Sequence, residues 1–155
     1  MGPSIARVTS WSLRIRSPGV PTRHRLTSDK TTAYACCALD ALAVPFLVDD
    51  PATLVSDCAE CGGAITVRVH GEHVLATSPE APMVFYVARD CCAAGPAIVT
   101  RCPFINFFCG AEHAGHWLAA HPDRSGPLLA LPEAIAEARR HFDRTIRLVR
   151  NADPS

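Results

Sequence analysis

Hydrophobic and polar positions alternate along much of the chain, which predicts short strands. Apolar residues occupy every second position from Ile65 to Val69, and Trp11–Ile15 shows the same alternation. A period of two is typical of strands with one buried face. Residues 102–109 are the most aromatic part of the chain and favour a strand by residue type. Further strands are predicted over residues 54–56, 74–76, 83–88 and 97–101.

Helical periodicity replaces this alternation in three places. The first helix is predicted over about residues 32–44, with Thr31 or Thr32 as its N-cap. A short helix is predicted over 112–121. A last helix begins at Pro132 and continues along one apolar stripe, formed by Ile135, Ala138, Phe142, Ile146 and Val149. Strands and helices that alternate loosely, with hairpins between them, predict an α+β fold.

Composition narrows the functional classes. The 155 residues are predicted to form one domain over 10–150, with a loose tail at 1–9 and a C-terminal tail at 151–155. Fifteen basic residues balance fifteen acidic ones, which argues against nucleic acid or an anionic membrane as the main partner. No stretch has the ~20 apolar residues of a membrane span, and the N-terminus lacks the apolar region of a secretory signal. Eight cysteines then indicate thiol or metal chemistry in a reducing cytoplasm.

The candidate reaction centre lies in residues 35–42, Ala-Cys-Cys-Ala-Leu-Asp-Ala-Leu. Cys37 and Asp40 are three positions apart, so a helix places them on one face. Apolar surroundings favour the neutral, proton-carrying form of a carboxyl, whereas the positive end of a helix dipole favours a thiolate. A soft nucleophile and a proton donor would then share one face. The alternative is two buried structural cysteines and an aspartate on the helix surface.

With this element and the aromatic segment placed, the chain resembles the catalytic domain of organomercurial lyases (alkylmercury lyases). The resemblance spans roughly residues 10–145, and its Cys-Ala-Leu-Asp element is fairly specific. The residues that carry it follow in order: 34–42, Pro45, 56–58, Cys102, Phe107 and Phe108, 112–114, Trp117, and Glu133 with Ala134.

The resemblance implies an activity and a set of roles. It implies small antiparallel sheets with packed helices, chemistry by Cys37, Asp40 and Cys102, and a structural role for Cys58. In the implied reaction, the Cys37 and Cys102 thiolates bind mercury while Asp40 accepts a thiol proton and then protonates the leaving carbon. The products are a hydrocarbon and Hg²⁺ held by the two cysteines, with no organic cofactor. Implied partners are organomercurial small molecules, low-molecular-weight thiols and a mercuric reductase that accepts Hg²⁺.

The chain departs from the family pattern in three places, and two of them, Cys36 and the N-terminal region, concern the substrate. Cys36 stands where the family usually has Trp, and Pro103 stands where well-known members have another Cys. Only a short tail is expected before the first strand, where the family usually has a helical, winged-helix-like domain. An enzyme of the same fold with a non-mercury substrate therefore stays open.

A second set of cysteines predicts a metal site of another kind. Cys58-x-x-Cys61-Gly-Gly has the form of a zinc-ribbon knuckle, and the remaining close pair is Cys91 with Cys92, an adjacent doublet of poor knuckle geometry. Either these four residues bind a structural zinc, or they are free or mercury-relaying thiols. A lyase-fold protein that binds zinc, copper or mercury without cleavage is the corresponding alternative function.

Two further groups have both a functional and a plain interpretation. Cys109, His113 and His116 would share a helix face and form a second metal site, or Cys109 is a core residue and the histidines are solvated. Four aromatic residues would line an apolar pocket for the organic group or belong to the core: Phe104, Phe107, Phe108 and Trp117.

Overall fold

The structure, a computed structural model, describes residues 15–16, 22–29, 32–47, 50–87 and 102–152. The strand predicted over 97–101, most of that over Trp11–Ile15, and both Cys91 and Cys92 lie outside these residues. Among the described residues, no helix is long and apolar enough to cross a membrane.

Six strands form the larger sheet, and every neighbouring pair is antiparallel. The order across the sheet is β1-β3-β2-β4-β5-β6. The register places Leu26, Leu54 and Val67 side by side, all fully buried, so these strands present one apolar face. The strand bounds are Ile15–Arg16 (β1), His24–Thr27 (β2), Thr32–Ala35 (β3), Ala52–Asp57 (β4), Ala64–His70 (β5) and His73–Ser78 (β6).

The second sheet is smaller and is accompanied by the longer helices. Its three antiparallel strands have the order β8-β7-β9. These strands are Met83–Phe85 (β7), Phe107–Phe108 (β8) and Leu128–Ala130 (β9). The α-helices are Ala38–Ala43 (α1), Ala111–Ala120 (α2), Leu131–His141 (α3) and Asp143–Ala152 (α4). Two antiparallel sheets with packed helices confirm the predicted α+β class.

The helix α1 is central to the fold and is buried on all sides. All six of its residues are buried, and it packs chiefly against α3. Three of the six are alanine, which allows the neighbouring elements to approach the helix closely. A one-turn 3₁₀ segment, Val44–Phe46, with Pro45 near its start, follows and ends the α-helix.

The start of the first helix was predicted wrongly. Residues 32–35 form β3, which pairs with β2 from Thr32 opposite Thr27 to Ala35 opposite His24. Thr32 and Tyr34 are half-buried while Ala33 and Ala35 are buried, so the segment alternates as a strand does. Cys37, not a threonine, is the N-cap of α1.

Two other elements differ from the prediction in part. Residues 102–109 contain a 3₁₀ turn, Cys102–Phe104, and only two residues of strand, because Pro103 lacks the N–H that a strand ladder needs. The last helix is interrupted at Phe142, where φ is −105° and ψ is 13°. Its apolar stripe nevertheless continues, since Phe142 N–H donates to the Ala138 carbonyl and Ile146 N–H to the Phe142 carbonyl.

Candidate active site

The junction of β3 and α1 places Cys37 against Asp40. The Cys37 thiol donates a hydrogen bond to Asp40 Oδ2 at 3.3 Å, and the Asp40 N–H donates to Cys37 Sγ at 3.4 Å. The backbone of Cys37 is extended (φ −147°, ψ 171°), so its side chain folds back over the first turn as an N-cap. The predicted proximity of thiol and carboxyl therefore arises from capping geometry.

Cys102 reaches the same place from a segment more than sixty residues further along the chain. The Ala38 N–H at the start of α1 donates to the Ile105 carbonyl at 3.0 Å, and the Ile105 N–H donates to the Cys102 carbonyl at 3.3 Å. The Sγ atoms of Cys37 and Cys102 and a carboxylate oxygen of Asp40 all lie within 4.8 Å of one another. These three residues are the ones that the sequence singled out for chemistry.

Burial controls the protonation of this cluster. Cys37 is 1% exposed, Asp40 0% and Cys102 2%. Burial raises the pKa of the Cys37 thiol well above its usual range, the hydrogen bond with Cys102 and the charge of Asp40 raise it further, and the Asp40 N–H opposes them. The sequence predicted a thiolate stabilised by the helix dipole; that prediction was wrong, because loss of solvent outweighs the pull of a short helix. The resting thiol is protonated, and the Asp40 carboxyl accepts its hydrogen bond.

A second group of candidate metal ligands lies where β4, β8 and α2 end or begin. Cys58, Cys61, Cys109 and His113 bring three Sγ atoms and one ring nitrogen within 4.8 Å of one another. Cys109 precedes α2, whose N-cap is Gly110, so the predicted shared helix face of Cys109 with the two histidines was wrong. His116 is not part of the group found among the described residues.

Two thiols of this second group have perturbed acidities. Burial raises the pKa of the Cys58 thiol, but hydrogen bonds from the Cys61 and Cys109 N–H groups and from His113 outweigh it and lower the pKa to about 6. Burial and hydrogen bonds with the other two sulfurs raise the pKa of Cys109 to about 12. The two values differ because N–H groups stabilise the Cys58 thiolate, whereas the neighbouring sulfurs favour the protonated form of Cys109.

The predicted zinc ligands and aromatic pocket have mixed outcomes. Cys58 and Cys61 meet Cys109 and His113, while Cys91 and Cys92 lie outside the described residues. The sequence named all four members of the new group but divided them between two sites. The long-range contact that joins them is between the β4–β5 turn and β8, where the Ala59 N–H donates to the Phe107 carbonyl at 3.0 Å. Aromatic residues of the proposed pocket instead form core contacts, with Trp117 packed against Phe85 and Phe108 at centroid distances of 5.6 and 5.7 Å.

Comparison with known proteins decides the family. The family model for MerB, alkylmercury lyase, matches residues 19–143.

The chain belongs to the alkylmercury lyase family.

Relatives within this family agree with that assignment. The alkylmercury lyase of Bacillus cereus is 31% identical over 121 residues, which are 77% of this chain and 53% of that protein. The alkylmercury lyase of Staphylococcus epidermidis is 31% identical over 136 residues, 88% of this chain and 59% of that protein. The chain therefore spans somewhat more than half the length of these relatives.

A solved structure supports the fold independently. The crystal structure of the mercury-bound form of MerB2 covers 92% of this chain and 73% of its own, with a TM-score of 0.73 and 21% sequence identity. The alkylmercury-lyase-like fold expected from the sequence is confirmed.

Proposed function

We propose that this chain cleaves carbon–mercury bonds by protonolysis, releasing a hydrocarbon and Hg²⁺. The observation that carries the proposal is the buried cluster of Cys37, Asp40 and Cys102, in which two soft ligands and one proton carrier lie within 4.8 Å of one another. Membership of the alkylmercury lyase family supports the same activity. Thiolates are the protein ligands best suited to a soft metal, and protonolysis needs an acid beside the metal–carbon bond.

The proposed reaction balances with the groups present. An organomercury cation and two protonated thiols give a hydrocarbon, Hg²⁺ bound by two thiolates, and one released proton. Mercury binds the Cys37 sulfur as the thiol proton passes along the 3.3 Å contact to Asp40 Oδ2. The Cys102 thiol then gives up its proton to solvent, which is the one released proton, and its sulfur joins the metal and raises the electron density at carbon. Asp40 delivers the proton to that carbon, and the mercury–carbon bond breaks.

The proton pathway follows from the burial of the site. Because the pKa of Cys37 is raised, its proton stays on sulfur until a soft metal replaces it. The proposed acceptor is the Asp40 carboxylate, which accepts the hydrogen bond of the thiol and is itself 0% exposed, so that loss of hydration favours its taking up the proton. Burial thus stores one proton next to the position of the scissile bond. This is the function that we propose for Asp40.

The proposal includes partners and a compartment. Hg²⁺ held by Cys37 and Cys102 has to pass to competing soft ligands, so we propose low-molecular-weight thiols and a mercuric reductase as acceptors. The chemistry requires reduced cysteines, which makes the cytoplasm the proposed site of action. No organic cofactor enters the proposed reaction.

The test is hydrocarbon release from methylmercury or phenylmercury by the reduced chain with excess thiol. Methane or benzene is measured by gas chromatography for the wild type, Cys37→Ser and Cys102→Ser. Cys36→Ser is the matched control, because this neighbouring thiol is half-buried and is not part of the cluster. We expect release by the wild type and the control and none above background by the two other variants.

Two outcomes would contradict the proposal. A folded wild type that binds Hg²⁺ tightly without releasing hydrocarbon would make the chain a mercury-binding protein. Near-normal release by Cys37→Ser or Cys102→Ser would show that the catalytic cysteines are misassigned.

A further inference from the structure

A group of four potential ligands lies apart from the proposed catalytic cluster. Cys58 directly follows β4, and Cys61 lies in the turn that leads to β5. Cys109 directly follows β8, and His113 lies in the first turn of α2. None of these four belongs to the cluster of Cys37 with Asp40 and Cys102. They supply three sulfurs and one imidazole nitrogen, which is a common ligand set of structural zinc sites.

Two of the distances within the group match those of a tetrahedral zinc centre. With zinc–sulfur bonds of about 2.3 Å and a zinc–nitrogen bond of about 2.0–2.1 Å, tetrahedral angles separate two sulfurs by about 3.8 Å and a sulfur from the nitrogen by about 3.6 Å. The structure has Cys61 Sγ 3.7 Å from Cys109 Sγ, and Cys58 Sγ 3.6 Å from His113 Nδ1.

The backbone around the sulfurs is arranged for thiolates. The Gly63 N–H points to Cys61 Sγ at 3.3 Å, and the Cys109 N–H points to Cys58 Sγ at 3.4 Å. Such N–H groups offset the negative charge of metal-bound sulfur. Gly62 has φ +74°, a conformation that favours glycine, and a Cβ on Gly63 would lie only 3.2 Å from Cys61 Sγ. The turn therefore favours glycine at position 62 through its backbone, and a side chain at position 63 would push Cys61 Sγ aside by a few tenths of an ångström.

We propose that Cys58, Cys61, Cys109 and His113 bind one zinc ion in a closed, tetrahedral structural site. The ion would crosslink the two sheets, because β4 and β5 belong to the larger sheet and β8 to the smaller one. The sheets also meet there through the Ala59 N–H, which donates to the Phe107 carbonyl at 3.0 Å. Cys102 lies in the segment that leads directly into β8. By holding the end of β8, zinc would fix this segment in place without taking part in the reaction.

The experiment measures zinc and cobalt binding by the full chain under reducing conditions. Zinc content is determined for the chain purified without chelator, and Co²⁺ is titrated into the metal-free chain while the visible absorption of tetrahedral, thiolate-bound cobalt is followed. The ligand variants are Cys61→Ser and His113→Gln. The matched control is His116→Gln, which changes an exposed histidine one turn further along the same helix. Cys37→Ser serves as the control for the catalytic cluster.

We expect about one zinc per chain in the wild type, in His116→Gln and in Cys37→Ser. The two ligand variants should bind zinc at least about 100-fold more weakly, because losing even an outer-shell partner of a metal ligand weakens binding about 10–100-fold. Cys61 is exposed, so its serine variant should remain folded, which near-ultraviolet circular dichroism would verify.

Three results would overturn the proposal. One is a reduced wild type that neither contains zinc nor gives the tetrahedral cobalt spectrum. Another is zinc that persists in Cys61→Ser and His113→Gln but disappears in Cys37→Ser, which would place the metal at the catalytic cluster. The third is a Cys61–Cys109 disulfide that persists in excess thiol. None of these results depends on hydrocarbon release, so the site and the proposed activity can fail separately.

Discussion

The buried histidine of β2 makes the stability of this fold sensitive to acid. His24 is 2% exposed, its Nδ1 lies 2.9 Å from Ser56 Oγ, and its ring packs against Phe107. Burial, together with the charge of Arg23, lowers its pKa from 6.5 to about 3, although a hydrogen bond with Asn106 acts in the opposite direction. The folded chain thus keeps this imidazole neutral at a pH where the unfolded chain protonates it.

The size of the effect follows from the two pKa values. The unfolded state binds the proton near pH 6.5 and the folded state only near pH 3, so the free energy of unfolding falls as the pH decreases through this range. A difference of about 3.5 pKa units (6.5 minus about 3) corresponds to about 5 kcal/mol when the titration is complete. Between about pH 7 and about pH 5, the linkage relation gives a loss of about 2 kcal/mol from this one residue.

The assay is urea unfolding at these two pH values for the wild type and His24→Asn. Asparagine keeps a polar atom near Ser56 but does not titrate, so its pH-dependent loss should be smaller by about 2 kcal/mol. The Cys58 thiol also titrates in this range, but it does so in both proteins, so the difference isolates His24. Equal pH-dependent losses in the two proteins would refute the buried, neutral histidine.

Two further predictions concern the proposed catalytic cluster. Asp40→Asn should still bind Hg²⁺ but release hydrocarbon about 10²–10⁴-fold more slowly, because an amide cannot carry the proton. Equilibrium binding measures the affinity for mercury, and gas chromatography measures the release of hydrocarbon. Loss of both properties would make Asp40 a structural residue. Cys36→Trp should release hydrocarbon as the wild type does, because the side chain is half-buried outside the cluster and the family usually has Trp there; a collapse of release would give Cys36 a catalytic role.

Short-range sequence patterns predicted those strands and turns whose formation depends on residues close together in the chain. The alternation over residues 64–69 and the glycine at position 71 predicted β5 and its hairpin with β6. The structure shows why glycine suits this turn, since Gly71 has φ +61°. Residues 32–35 show the limit of this approach. They have no stronger local signal for a strand than for a helix, and their pairing with β2 decides the outcome.

The candidate site could be predicted as a list of residues but not as an arrangement. Cys37 and Asp40 are close in sequence, and Cys102 was added through the family resemblance. Sequence spacing could not place Cys109 and His113 beside Cys58, because their contact depends on the packing of β8 beneath the β4–β5 turn. It also missed His24, whose neutral state depends on burial rather than on any motif.

The segment from Cys102 to His113 connects these observations. Near its start, the Ile105 carbonyl accepts a hydrogen bond from α1. In its middle, Asn106 forms hydrogen bonds with the Pro103 carbonyl and with His24. At its end, it supplies Cys109 and His113 to the four-ligand group. A second thiol helps cleavage only if it reaches the metal already held by Cys37, so the position of this segment controls the proposed chemistry. Protonating His24 or removing the proposed zinc should loosen the segment at different points. Both changes should therefore weaken the cooperation of Cys102 with Cys37 before they unfold α1, which is buried on all sides.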